Sequence, residues 1–477
     1  MESTGVSASE IISHDPATGA VVWRGEPGDV NTAVAVAAQA WPAWAAQPLS
    51  ARLELIRRLG NEMRNDAEAI ARGIAIETGK PLWEAHGEVE ASVARVEISV
   101  RAYAERCAQR KHDNGLAGTL SVRHKPHGIM AVITPFSQPL QVPATHLIPA
   151  LIAGNVVVLK PSEKATATAQ MLIACANRAG LPTGVLQLVA GGAAQGQDLV
   201  VHEGVAGVLF SGSAQVGISI ARKLAPRPDK LFSMEAGGNN PLVVWDTPLI
   251  DDAAVLIVQS AFSGAGQRCT SARRLIVKSE LYDPVLTAVK RLADRILIGS
   301  PFDDPVPFMG PVIDQDAADG LTQSFIYLMS NGGRAIKHMV RTHGDLPFVS
   351  PAIIDTTHVA ERPDVELFGP LLQVIRVNSF DEAIAEANAT RFGRCAGLIG
   401  GTPQDYNRFW ANVRSGSIHW NRPTTAELPA APIIGTGMSG NHRPTGYYAA
   451  DTCVYPVSSS EMEQPRATLG TGFQAEG

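Results

Sequence analysis

A chain of 477 residues exceeds what one hydrophobic core usually organises, so two or three domains are expected. Hydrophobic residues at 45% and charged residues at 18% describe an ordinary globular chain and exclude a disordered one. The formal net charge of −6 offers nucleic acid no electrostatic footprint, and Arg123-His124-Lys125 is too short a basic cluster to alter that.

The first twenty residues carry Glu2, Glu10 and Asp15 and lack the basic start and apolar stretch of a signal peptide. No run approaches the ~18 apolar residues of a membrane span, so a cytoplasmic chain with no membrane partner is expected. From about residue 28 to 110 the pattern is helical. Ala33 to Ala46 is alanine-rich with Trp41 and Trp44. Leu53 to Thr78 has apolar residues at helical spacing and stops at Gly79-Lys80-Pro81, and Glu84 to Glu105 is a further amphipathic helix. The texture then changes. Ile129 to Ile133, Val156 to Leu159, Leu186 to Val189 and Gly207 to Phe210 are short apolar runs, as in buried parallel strands. Helical stretches separate them, at Pro143 to Ala153 and Thr166 to Gly180. Such alternation predicts a doubly wound α/β sheet. A second alternating region begins after about residue 236, with Pro241 to Val244, Leu275 to Val277 and Leu371 to Ile375. Gly118 to His124 alternates as an exposed strand and is expected to pair with the Tyr-, Pro- and Ser-rich tail after Asn441.

The five cysteines (107, 175, 269, 395, 453) show no CxxC or CxxH spacing, which speaks against a metal site and a disulfide framework. Cys269 differs from the rest. It follows Gly264-Ala265-Gly266-Gln267-Arg268, and it lies 34 residues (269 minus 235) after Glu235 in Met-Glu-Ala-Gly-Gly-Asn-Asn-Pro. A thiol acts as a nucleophile when a base or a lowered pKa activates it, and a glutamate can serve as that base or activate water. Loops of small residues let backbone approach a ligand closely.

Glu-x-Gly-Gly-x-Asn followed at this distance by Gly-Gln-x-Cys resembles the NAD(P)-dependent aldehyde dehydrogenase superfamily. The resemblance implies an α/β fold with a Rossmann-type NAD-binding domain, an α/β catalytic domain and a small β-flap for oligomerisation. It divides the chain into a cofactor domain of residues 1–106 and 126–235, a catalytic domain of 236–440, and a flap of 107–125 and 441–477. A homodimer or homotetramer is the implied assembly. It also implies Cys269 as the nucleophile and Glu235 as the general base.

Lys160-Pro-Ser-Glu163 follows one apolar strand, and Gly212-Ser213 with Gly217 follows another and opens a helix. A Gly-x-x-x-x-Gly turn there would aim backbone N–H groups at a pyrophosphate. The family resemblance implies Lys160 and Glu163 at the adenosine ribose and Ser213 near the pyrophosphate. A carboxylate at Glu163 would accept from ribose hydroxyls and repel a 2′-phosphate, so NAD is expected over NADP. Glu366 in Glu-Leu-Phe-Gly-Pro is implied at the nicotinamide ribose, with Phe368 packed beneath the cofactor.

Two positions depart from the family pattern. Where its aromatic-Asn-Phe-Pro motif has an oxyanion-donating Asn, this chain has Ser137, followed by Gln138. Pro432-Ile433-Ile434-Gly435 replaces the usual Pro-Phe-Gly-Gly. Losing one oxyanion donor typically costs ~10²–10³ in rate. Ser439-Gly-Asn-His-Arg443-Pro, with Thr78-Gly-Lys-Pro81 and Gln267-Arg-Cys-Thr270, resembles more narrowly the N-succinylglutamate 5-semialdehyde dehydrogenases of arginine catabolism. Arg268, Arg443 and Arg123 are the expected partners of that substrate's carboxylates. Other readings also fit: a dehydrogenase of shifted substrate, an ester or thioester hydrolase on the same scaffold, or an NAD-binding protein whose catalysis Ser137 weakens.

Overall fold

The computed structural model describes residues 10–113, 118–465 and 470–473. An antiparallel hairpin, Ile11–His14 with Val21–Gly25, comes first. Its strands are short and only partly buried, and they carry little alternation to announce them. Four helices follow, Val30–Ala46, Leu49–Asn65, Ala67–Thr78 and Leu82–Arg106. The periodic run expected as one helix from Leu53 to Thr78 is therefore two, broken at Asp66 (φ −94°, ψ 13°). Gly79 ends the second at φ 74°, a left-handed stop that suits glycine.

The first sheet is parallel and five-stranded, in the order Leu186–Leu188, Val156–Lys160, Ile129–Ile133, Gly207–Gly212, Leu231–Ala236. Its three central strands are buried almost throughout. The order reverses between Ile129–Ile133 and Gly207–Gly212, and a doubly wound sheet opens its ligand crevice at such a point, beyond the strand C-termini. The loop Thr134–Gln138 and the start of helix Ala214–Leu224 border that crevice.

The second sheet has seven strands, in the order Arg334–Lys337, Ala352–Asp355, Leu371–Val377, Arg274–Lys278, Pro241–Trp245, Cys395–Gly400, Ser417–Trp420. Only the edge strand Arg334–Lys337 runs antiparallel. Separate apolar clusters fill its two faces. The first sheet's last strand ends at Ala236 and the second sheet's strand begins at Pro241. The C-terminal edge of one sheet therefore faces the N-terminal edge of the other across a short connection.

A third, antiparallel sheet stands apart. Val454–Glu461 pairs with Thr119–Pro126 over eight residues, and Arg110–Asp113 adds a further strand. The tail does pair with the exposed strand around Gly118 to His124, while Arg110–Asp113 was not foreseen. No helix among the described residues is long and apolar enough to cross a membrane, and no cluster of metal-ligating residues occurs among them.

Candidate active site

The Cys269 loop is held open by backbone geometry. Gly264, Ala265 and Gly266 take φ of 62°, 52° and 67°, so three successive residues sit in the left-handed region. At Gly266 an added Cβ would lie 2.2 Å from the Gly369 carbonyl oxygen, so no side chain fits there. Arg273, fully buried, donates to the carbonyls of Gly266, Gly369 and Arg268. Gln267 Oε1 accepts from the Ile313 N–H at 3.0 Å. Cys269 is thereby presented at the N-terminal end of strand Arg274–Lys278, partly exposed, while the other four cysteines are buried. Burial pushes the Cys395 thiol up to about 11 and the Cys107 thiol up to about 12, leaving both as inert thiols at neutral pH.

Glu235 sits at the end of the first sheet's edge strand, which is covered by the segment around Asn441. The Met234 N–H donates to Asn441 Oδ1 at 3.0 Å, and Asn441 Nδ2 donates to the Phe232 carbonyl at 3.0 Å. The Ala236 N–H donates to the Ser439 carbonyl at 2.8 Å. These bonds satisfy an otherwise open strand edge. The Thr445 hydroxyl donates to the Glu235 carboxylate. Burial raises the Glu235 pKa to about 7, with Arg394 and Arg95 pulling against it. His146 lies 4.0 Å from this carboxylate but hydrogen-bonds Ser211 at 2.8 Å. Its own burial lowers it to about 4, so it is neutral.

Both side chains open on one cavity of ≈ 420 Å³, which also takes in Ser137, Gly212, Ser213, Glu366 and Phe368. A smaller space of ≈ 110 Å³ adjoins it at Cys269 and is bordered by Arg95, Arg268 and the segment Thr425–Pro429. Arg394 lines both. Its guanidinium lies 3.7 Å from the Cys269 sulfur and 3.9 Å from the Glu235 carboxylate. Sequence reasoning did not single it out, because nothing in Phe392-Gly-Arg394-Cys395 signals a site. Arg95, on helix Leu82–Arg106, was missed for the same reason.

On the cofactor side, Lys160 ends strand Val156–Lys160 and Glu163 follows it, with Nζ 3.7 Å from the carboxylate and donating to the Pro161 carbonyl at 2.9 Å; neither borders the ≈ 420 Å³ cavity. Ser213 caps helix Ala214–Leu224, its hydroxyl accepting from the Val216 N–H. Gly217 does something other than expected. Its N–H is spent on the helical bond to the Ser213 carbonyl at 3.0 Å. A Cβ there would meet the Met234 side chain at 2.5 Å, so Gly217 brings the helix close to its neighbouring strand instead of lining the cavity. Glu366 accepts from the Gly238 N–H at 3.3 Å and has Arg273 at 3.8 Å. Burial pushes its carboxyl up, and Arg273 opposes this. Phe368 meets Phe136 edge-on at 6.0 Å between ring centroids.

The three expected substrate arginines are not brought together. Arg268 borders the smaller space, but its guanidinium is bound to the buried Glu84 carboxylate. Arg443 is exposed and contributes its backbone carbonyl to Ser233, not its side chain to either cavity. Arg123 lies in the three-stranded sheet, paired with Glu461. Ser137 lines the cavity, and its carbonyl accepts from Lys80 Nζ at 2.9 Å. Gln138 donates to Gln141 at 2.7 Å and is thereby turned to that neighbour.

Residues 4–457 match the family model described as the aldehyde dehydrogenase family. The N-succinylglutamate 5-semialdehyde dehydrogenase of Novosphingobium aromaticivorans is 63% identical over 99% of this chain and 100% of its own. The protein of the same name from Sphingopyxis alaskensis is 54% identical, over 98% and 97% respectively. Among solved structures, an NAD-dependent aldehyde dehydrogenase from Sinorhizobium meliloti superposes with a TM-score of 0.89 at 26% identity, covering 97% of this chain and 93% of that one.

Proposed function

The chain belongs to the aldehyde dehydrogenase family, and from that premise we propose that it oxidises N-succinylglutamate 5-semialdehyde, or a closely similar acidic semialdehyde, to the carboxylate with NAD, a step of arginine catabolism. The observation that carries the reading is the shared cavity of Cys269 and Glu235, with the Arg394 cation within 4 Å of both. Cys269 is the nucleophile, and its attack on the aldehyde carbon gives a tetrahedral thiohemiacetal. Glu235 is the base that activates water to hydrolyse the thioester left after oxidation. In this reading Ser137, which lines the cavity, and the Cys269 N–H serve as the oxyanion donors.

NAD fits the donor set of the crevice. Glu163 offers a carboxylate to ribose hydroxyls beside Lys160, and the capped start of helix Ala214–Leu224 faces the cavity that Glu366 also borders. When bound, NAD supplies the hydride acceptor. Phe368 provides an apolar floor, and Gly212 keeps the entrance to the helix free of side chains. Arg95, lining both spaces, is the better candidate for a substrate carboxylate than Arg443 or Arg123.

The three sheets support a division into a cofactor domain (1–106 and 126–235), a catalytic domain (236–440) and a flap (107–125 and 441–477). The exposed flap edges support a homodimer or homotetramer. The free cysteines suit a reducing cytoplasm. NADH yield from a panel of acidic and neutral aldehydes tests the function. NADH from the succinylated semialdehyde at the highest kcat/KM supports it, and NADH from none overturns it. A pure hydrolase or a cofactor-binding protein with weakened catalysis is not favoured by this family membership.

A further inference from the structure

Resting on that reading, we propose that Arg394 is a catalytic residue whose guanidinium donates to the oxygen that becomes negative in the tetrahedral adduct on Cys269.

The first ground is how this arginine is held. Arg273 donates to three backbone carbonyls. Arg274 donates to the carbonyls of Asn239, Glu386 and Ala387. Arg268 is clasped by Glu84. Those three cations are locked into the scaffold. Arg394 is as deeply placed, its side chain 9% exposed, yet its contacts are long: 3.5 Å to the Ile434 carbonyl, 3.7 Å to the Cys269 sulfur and 3.9 Å to Glu235. Its Nε is buried and has no partner, as is also true of Arg273 and Arg95, so it is the long contacts of its terminal nitrogens that set Arg394 apart from Arg273. A buried guanidinium with spare donors is costly unless an anion joins it. The side chain is therefore set for negative charge that arises during the reaction.

The second ground is reach. The guanidinium contacts the reacting sulfur itself. A carboxylate of an acidic semialdehyde lies several bonds from its aldehyde carbon and would sit deeper in the adjoining space, beside Arg95. The aldehyde oxygen, by contrast, is two bonds from the sulfur once the adduct forms. In that step the electron pair of the Cys269 thiolate, the thiol having already given up its proton, forms the S–C bond and the C=O π pair moves onto oxygen, giving an alkoxide. The same oxygen is charged again when water, losing its proton to Glu235, adds to the thioester. That adduct collapses by re-forming C=O and expelling the Cys269 thiolate. One fixed cation at this spot serves both additions, and preorganised donors aimed at developing charge are among the largest contributors to catalysis.

The test compares the parent with Arg394→Leu and Arg394→Lys on N-succinylglutamate 5-semialdehyde and on propanal, which has no carboxylate. NAD titration and thermal melts establish that each variant is folded. The expected result is a kcat lower by ~10²–10³-fold for the leucine variant on both aldehydes, with KM little changed and the lysine variant in between. A loss confined to the acidic aldehyde, or carried by KM, overturns the proposal in favour of a substrate-carboxylate site. An unchanged kcat overturns it too. If the leucine variant does not fold, the lysine variant and Arg394→Gln decide the same question. If the parent forms no NADH from any aldehyde, the reading of function falls. Arg394 is then judged on hydrolysis of 4-nitrophenyl acetate, which builds the same oxyanion on Cys269: a comparable loss upholds the proposal and an undiminished rate overturns it.

Discussion

The side-chain amide of Asn240 donates to the carbonyl oxygen of Cys269 at 2.8 Å. Its other donor contact is the Ser271 carbonyl at 2.9 Å, and its oxygen accepts from the Cys395 N–H at 3.0 Å. One buried amide at the start of the second sheet therefore ties together the loop bearing Cys269 and the strand following Arg394. Asn240→Ala leaves two carbonyls and one N–H without this partner. A loss of about 2–3 kcal/mol in unfolding free energy is expected, read from denaturant titration, together with a fall in kcat that exceeds any change in NAD affinity.

Cys269→Ala is expected to abolish NADH formation and to remove iodoacetamide incorporation at that site, read by peptide mass spectrometry. The other four cysteines are buried and should stay unlabelled in the folded protein. Retention of most activity would remove Cys269 from the mechanism.

The pH dependence follows from Glu235. Its base form is the carboxylate, and burial has raised its pKa to about 7. Below that value the group is protonated and cannot accept a proton from water. Turnover limited by thioester hydrolysis should thus climb about tenfold per pH unit up to about 7 and level off above it. The Thr445 hydroxyl donates to the charged form, so Thr445→Val should move the midpoint to higher pH. Glu235→Gln should erase the rise. A profile flat from pH 5.5 to 8.5 in the parent would detach Glu235 from the limiting step.

Cofactor preference rests on Glu163. Fluorescence titration should find NAD bound more tightly than NADP, and Glu163→Gln should narrow the gap by at least about tenfold, by removing a charge that repels a 2′-phosphate. Equal affinities in the parent would mean that Glu163 lies away from the ribose.

Assembly is read by light scattering at micromolar concentration. The antiparallel sheet formed by Arg110–Asp113, Thr119–Pro126 and Val454–Glu461 presents strand edges of the kind that another subunit covers. A mass of at least twice the 50.5 kDa chain is expected, and a clean monomer counts against it.

Local chemistry written in consecutive residues was legible in the chain itself. Short β-branched runs such as Val156-Val-Val-Leu159 can bury both faces of a strand, and they became the central strands of a parallel sheet. Gly264 and Gly266 are required where φ is positive, so the loop that presents Cys269 was visible as a pattern of small residues. Side-chain partnership was not visible, because it depends on which distant segments the fold brings together. Arg268, Arg443 and Arg123 all carry a charge suited to an acidic substrate. Glu84, 184 residues from Arg268, claims the first. Placement at the surface removes the second, and Glu461 on the paired flap strand takes the third. Gly217 looked like half of a phosphate turn until the packing of Met234 against its helix gave it another duty. Arg394 shows the reverse case. Its neighbours in sequence are unremarkable, and only the meeting of the two sheet edges sets its guanidinium beside a sulfur 125 residues away. The backbone periods of strand and helix are local and can be read from composition, whereas burial and the pairing of charges are decided where the chain closes on itself.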